Sequence, residues 1–279
     1  VMRIKLFFLL MLSAQLCFSQ RIIGAAVNDP AKLSETEIVD ESHLQCVYYH
    51  LMYDPDLDKW EDSYEILQVG DSFSKYGSYG SYQLDSLVAT MDKQKLTFDQ
   101  YFTLSLKYKP KLECLIKDLK NGTLRVYDVI VGDNYLYEEP VPSISWTLAE
   151  GTEEVCGYLC HKATCTFRGR SWTAWYSDIP LSNGPWKFGN LPGLILKLED
   201  AKGEHKFEAM GFKKDSVSFG YRKVSYIKTD RVKFNATKEE YKNEAWKLVE
   251  GTDLQPKSTD GKPLKLPRRK LFYNPIELE

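Results

Sequence analysis

The sequence is poor in the residues from which catalysis at neutral pH is usually built. Its 279 residues include only four histidines, His43, His50, His161 and His205. No Gly-x-Ser-x-Gly elbow occurs, because Gly77-Ser78-Tyr79-Gly80 has the wrong spacing, and this excludes the nucleophile turn of α/β-hydrolases. The chain also lacks a phosphate-cradling glycine loop and a His-Glu-x-x-His helix, so nucleotide-dependent and zinc-peptidase chemistries are without their motifs. No cofactor-binding pattern is present. The formal net charge is only -2, a balance that argues against nucleic acid or another polyanion as partner. After residue 20 no apolar run approaches the roughly 20 residues that a membrane-spanning helix needs.

What the chain does have is aromatic and aliphatic bulk. Hydrophobic residues make up 43% and aromatics 13%, with 18 tyrosines, a composition suited to strands. The length fits one large domain or a compact domain with tails. Arg3 and Lys5 precede an almost wholly apolar stretch from Leu6 to Leu16. Cys17-Phe18-Ser19 then offers small residues at a cleavage position before Gln20. This is the pattern of a secretory signal over residues 1–19, with a single β-rich domain over 20–279. A lipid anchor on Cys17 is disfavoured by the bulky Leu16. The expectation is an exported protein, periplasmic or associated with the cell envelope, with no transmembrane segment in the mature chain.

Five cysteines remain after the leader: Cys46, Cys114, Cys156, Cys160 and Cys165. An odd number outside the cytoplasm leaves at least one free thiol or an intermolecular pair. Cys156, Cys160, His161 and Cys165 form the only grouping that invites a metal. On one continuous strand Cys156 and Cys160 would stand about 13 Å apart, too far for a disulfide, and Cys165 would face the other way. A local zinc site would need a turn near Gly157. Buried or long-range-paired cysteines are the preferred reading.

Alternating patterns predict strands over Leu44 to Tyr53 and Tyr64 to Val69, and a succession of strands from Leu112 to Lys213. Turns are expected at Asp54-Pro55-Asp56, Asn121-Gly122, Gly132-Asp133-Asn134, Glu150-Gly151 and Ala201-Lys202-Gly203. Leu84, Leu87, Val88 and Met91 make a helical stripe. Thr237-Lys238-Glu239-Glu240 fits a capping box that opens a helix stopped by Gly251. The segment at about 252–279 carries Pro256, Pro263 and Pro267 among six basic residues, and reads as a solvated tail or a patch for an anionic partner. Its last residues, Leu271 to Glu277, turn apolar again and are expected to dock back on the domain. The fold class is therefore α+β: mostly antiparallel sheet, a curved meander with a few short helices.

The most distinctive stretch holds Gly169-Arg170-Ser171-Trp172-Thr173-Ala174-Trp175-Tyr176, Ile179-Pro180, Gly184-Pro185-Trp186-Lys187-Phe188 and Asn190-Leu191-Pro192-Gly193-Leu194-Ile195. It resembles the GLPGLI family, exported proteins of Bacteroidota without an established reaction. Asn190 replaces the first glycine of that motif. Asn is the non-glycine residue that best tolerates a left-handed backbone, so the turn should survive. In its succession of strands the chain is also similar to periplasmic lipoprotein carriers, whose curved sheet wraps an apolar cavity. The three prolines and three glycines read first as a rigid loop that joins sheet to core. The sharper reading makes Trp172, Trp175, Trp186, Phe188, Leu191 and Pro192 a ligand or partner surface.

No catalytic residue emerges from this reading. Glu138-Glu139 and Glu153-Glu154 are neighbours on strands and point to opposite faces. The expected function is non-catalytic binding of a hydrophobic ligand, or of an outer-membrane or secreted protein. The alternatives are a hydrolase whose carboxylates meet only in three dimensions, and a thiol- or metal-handling protein.

Overall fold

The structure, a computed structural model, describes residues 29–252, 255–258 and 261–279; the expected leader over 1–19 lies outside them. Twelve of fourteen strands form one sheet. A first meander comprises β2 (Leu44–Asp54), β3 (Lys59–Val69), β4 (Phe73–Ser78), β5 (Cys114–Asp118), β6 (Thr123–Ile130) and β7 (Asp133–Pro140). A second comprises β8 (Thr147–Val155), β9 (Tyr158–Phe167), β10 (Arg170–Ser177), β11 (Ile195–Asp200) and β12 (His205–Lys213). Antiparallel pairing of β12 with β2 joins the two, and β14 (Ile227–Thr229) adds a parallel strand beside β7. Strands β1 (Thr36–Ser42) and β13 (Val217–Arg222) pair separately. The α+β, mostly antiparallel expectation holds, with the meander in two runs instead of one.

The sheet is rolled. Six interstrand steps separate β7 from β12, about 29 Å in a flat sheet, yet Tyr137 of β7 and Phe207 of β12 line one cavity. Farther out, Arg168 in the β9–β10 turn reaches Glu139 of β7 at 3.1 Å. The inner face is continuous: Cys46, Leu67, Tyr76, Leu115, Val126 and Tyr137 are successive register partners across six strands, and all are buried. Three two-residue turns, Val131-Gly132, Cys156-Gly157 and Arg168-Gly169, have positive φ at both positions. Such turns match the twist of the strands they join. The expected turn at Glu150-Gly151 is instead a bulge within β8, where the register shifts between Ala149 and Thr152 and Gly151 takes φ +119°.

Three α-helices complete the described architecture. Helix α1 (Tyr79–Ala89) buries Leu84 and Val88 as the stripe predicts. Helix α2 (Phe98–Tyr108), which the hydrophobic pattern did not indicate, is opened by a capping box between Thr97 and Gln100. Helix α3 (Arg231–Glu244) starts at an Asp230 cap, so the box expected at Thr237 is not a start. Thr237 sits inside the helix and donates back to the Lys233 carbonyl at 2.9 Å.

The loop between β10 and β11 is packed onto the inner face. The Lys117 ammonium on β5 donates to Asn183 Oδ1 at 3.0 Å and to the Phe188 carbonyl at 2.8 Å. Asn183 Nδ2 donates to Ser74 Oγ at 3.0 Å, and the Tyr48 hydroxyl donates to the Ile195 carbonyl at 2.7 Å. Lys187 is fully enclosed between Glu139 at 2.6 Å and Glu277 at 2.8 Å. Asn190 takes φ +65°, the left-handed backbone that Asn tolerates, and its side-chain oxygen accepts from the Ile144 amide at 3.0 Å. Gly193 is required for another reason. Its φ is not left-handed, but a Cβ there would stand 1.7 Å from the Ser177 carbonyl oxygen. Gly193→Ala should therefore cost roughly 3 kcal/mol or more through forced backbone movement, measured by urea unfolding; a loss under about 0.5 kcal/mol would refute the close packing.

Burial pulls the Lys117 pKa from 10.5 down to about 7, because its partners are neutral oxygens. Between those two values the unfolded chain holds the proton and the folded chain does not. Stability should therefore rise with pH across that window, by at most about 1.4 kcal/mol per pH unit. Lys117→Met should remove this gain. Urea unfolding of both proteins at pH 7 and pH 9 checks it, and an unchanged pH slope in the variant would refute it.

Candidate functional site

A cavity of about 310 Å³ lies between the inner face of the rolled sheet, helix α3 and residues 272–277. That last segment is strapped in place. Asp54 accepts from the Tyr273 amide at 2.9 Å, and Asn274 donates to the Tyr53 carbonyl at 2.6 Å. The Arg170 guanidinium donates to the Pro275 carbonyl at 2.8 Å and also holds Asp200 and Glu204, at 2.8 and 2.7 Å. The expectation that Leu271 to Glu277 docks back is met, and the docked segment is a wall of the cavity.

The lining mixes aromatic and polar groups. Phe207, Trp186, Phe234, Tyr137 and Phe272 supply apolar surface. Among them stand Glu65 and Glu113 with Lys111 and Lys238, and a histidine pair, His50 and His205. Lys238 of α3 bridges Glu113 at 2.9 Å and Asp128 at 2.8 Å. Glu65 accepts from Ser63 at 2.8 Å and lies 3.8 Å from Lys111.

These environments separate the two carboxyls. Burial raises the pKa of Glu65, and Lys111 and Ser63 offset it only in part. Burial is also the largest influence on Glu113, but the charge and hydrogen bond of Lys238, with the charges of Lys111 and Lys187, together outweigh it and the net shift is downward. Lys238 in turn is desolvated yet held above its ordinary value by Glu113 and Asp128. His50 Nε2 lies 3.2 Å from His205 Nδ1, and the His50 ring stacks on Phe207 with centroids 3.7 Å apart. Burial lowers both, reinforced for His50 by His205 and Lys111 and for His205 by Arg170, whose effect Asp200 and Glu204 oppose; His205 falls to about 4. The pair is therefore uncharged at neutral pH.

Two buried polar atoms on this lining have no hydrogen-bond partner: the Tyr76 hydroxyl and His205 Nε2. The nearby Asn274 side chain, which also binds Tyr53, Glu204 and Arg170, offsets part of the effect of burial on the His205 ring. An unsatisfied buried group of this kind costs about 1–3 kcal/mol, so each marks a place where a ligand atom would be stabilising.

The six aromatic-loop residues separate on this geometry. Trp172, Phe188 and Leu191 are packed in the core, Trp175 is half-buried, Pro192 is exposed, and Trp186 alone of the six lines the cavity. The loop's main role is as filling, with Phe188 meeting Trp172 edge to face at 4.8 Å. The four metal candidates are not brought together. Cys156 is exposed in the β8–β9 turn, His161 stands 3.6 Å from Asp178, and Cys160 and Cys165 are buried. Burial raises the Cys160 and Cys165 thiols to about 11 and about 12, which leaves them poor nucleophiles. All five described cysteines are unpaired, and among the described residues no group of three or more His, Cys, Asp or Glu is placed to hold a metal ion.

The cavity residues themselves were not singled out from sequence, apart from Trp186 and the histidines. Their signal was available only in part. Glu61, Ser63 and Glu65 alternate onto the face that continues as Leu67 and Val69, a polar stretch of an otherwise apolar inner row.

No family model matches the chain, and no curated protein matches it. Among solved structures, PNGF-II in space groups C2 and P21 is similar at 13% identity and a TM-score of 0.49 in each case. The likeness covers 72% and 73% of this chain, and 33% and 34% of PNGF-II. The chain thus spans about a third of the length of the solved structures it matches. A likeness of that order carries no functional argument, and the site is read from its own residues.

Proposed function

We propose that the chain is an exported binding protein of the bacterial cell envelope, of the GLPGLI type, and that its cavity holds a small amphipathic ligand. The observation that carries the ligand reading is the pair of unpartnered buried atoms, Tyr76 Oη and His205 Nε2, on a wall otherwise rich in aromatic rings. A ligand with an apolar face and one or more hydroxyl or carbonyl oxygens satisfies both halves of such a lining. The charged groups Glu65, Glu113, Lys111 and Lys238 narrow the hydrophobic-ligand expectation, since a purely aliphatic molecule would leave them desolvated without compensation. Export is supported by the basic, apolar and small-residue pattern over residues 1–19, and the family by the stretch from Gly184 to Ile195.

Tyr76→Phe separates this reading from a structural role for the hydroxyl. The empty protein should be unchanged or stabilised by up to about 1 kcal/mol, because an unsatisfied buried group is removed. Native mass spectrometry of the chain recovered from a bacterial periplasm should show a bound small-molecule mass that the variant retains several-fold less well. A bare polypeptide mass in the wild type, or a clear loss of stability in the empty variant, would overturn the proposal.

A further inference from the structure

We propose that the cavity is also catalytic, with Glu65 as proton donor and Glu113 as base in the hydrolysis of a glycoside. This rests on the reading of the cavity as a ligand site. The argument begins with register. Glu65 on β3 is paired with Ser78 of β4, and Gly77 of β4 is paired with Cys114. Glu113, one residue before Cys114, therefore flanks β4 on the side opposite Glu65. Two interstrand spacings, about 9.6 Å, separate the backbones, and both carboxylates line the same cavity. The position between them is the small Ser78. Carboxyl pairs that hydrolyse glycosides with inversion stand roughly 6.5–9.5 Å apart, leaving room for a water.

The two sites differ in the way that such chemistry needs. The Glu65 side chain is 12% exposed and the Glu113 side chain 37%. The enclosed carboxyl is held toward its protonated form by burial, and the more open one toward its ionised form by Lys238. Two structural ion pairs would account for the lysines but not for the unpartnered Tyr76 hydroxyl, which lies two residues from Ser78 on β4. It is placed to bind a sugar hydroxyl or ring oxygen. The partly exposed ring of Phe272 suits the apolar C–H face of a pyranose ring, and no metal or cofactor is required by this chemistry.

In the proposed step Glu65 gives its proton to the glycosidic oxygen as the bond from that oxygen to the anomeric carbon breaks. Glu113 accepts a proton from water as the water oxygen bonds to the anomeric carbon. The products are the free alcohol and a hemiacetal of inverted configuration. Glu65 is left ionised and Glu113 protonated, and exchange of one proton with solvent restores both.

The test uses the full chain with a panel of p-nitrophenyl and methyl glycosides, hexosides and N-acetylhexosaminides in both anomeric forms. At least one pair should be turned over, with inversion seen by proton NMR. Glu65→Gln should lower kcat by 10²–10⁴-fold, and by more on the methyl than on the p-nitrophenyl glycoside, because the poorer leaving group depends more on the acid. Glu113→Gln should lower both by a similar factor, and Glu138→Gln, on the far face of β7, should not. Thermal melts establish that each variant is folded. Absence of turnover by the wild type on every substrate, or a kcat within threefold of wild type in either cavity variant, would overturn the catalytic proposal. If native mass spectrometry still shows a Tyr76-dependent bound mass in that case, the binding reading stands alone; if it shows none, both fail.

Discussion

The fully buried ammonium of Lys187 sets the terms for the rest of the molecule. A charge removed from water in this way is tolerated only when it is paired at close range, and removal of one partner of such a pair ordinarily costs about 3–5 kcal/mol. Here the partners are Glu139 on β7 and Glu277 in the C-terminal strap. Arg168 from the β9–β10 turn and Arg231 at the start of α3 close around the same two carboxylates. One cluster thus ties the two ends of the rolled sheet, the aromatic loop, the helix and the strap. The sheet closes only as far as this cluster lets β7 and the β9–β10 turn approach, and the cavity is the space left inside.

Many polar groups that hold the architecture are satisfied: Lys117 by Asn183 and Phe188, Arg170 by Asp200, Glu204 and Pro275, Tyr48 by Ile195. Among the described residues three buried side-chain atoms lack a hydrogen-bond partner. Tyr76 Oη and His205 Nε2 belong to residues of the cavity lining, and Arg168 Nε belongs to the charge cluster around Glu139 and Glu277.

Much of the architecture was legible because it follows from local chemistry. Alternation placed β2 and β9, the helical stripe placed α1, and the tolerance of Asn for a left-handed backbone explained Asn190 at φ +65°. The misreadings also have local causes. Gly151 looked like a turn glycine, but it is a bulge, which demands the same positive φ in mid-strand. Thr237 with Glu240 mimicked a cap, yet Asp230 caps the helix about two turns earlier, beyond any signal that apolar periodicity could give. The site was largely illegible for another reason. Glu65, Tyr76 and His205 come from three strands and Glu113 from the residue before β5, and only the β2–β12 pairing and the roll of the sheet bring them to one lining. The aromatic loop drew attention by composition, whereas its rings mostly fill the core, since large apolar side chains mark burial more reliably than they mark binding.

The strap over residues 272–277 has a consequence for how the site comes into being. Its anchors, Asp54 and the Tyr53 carbonyl, lie more than 200 residues earlier in the chain. Synthesis runs from the N-terminus, so every other wall of the cavity emerges before this one. An intermediate with both meanders paired and the strap not yet docked presents the aromatic lining to its surroundings through an open side. The cavity is thus closed by a segment that arrives after its other walls, and a molecule already resting against Trp186 would be enclosed by the act of folding itself.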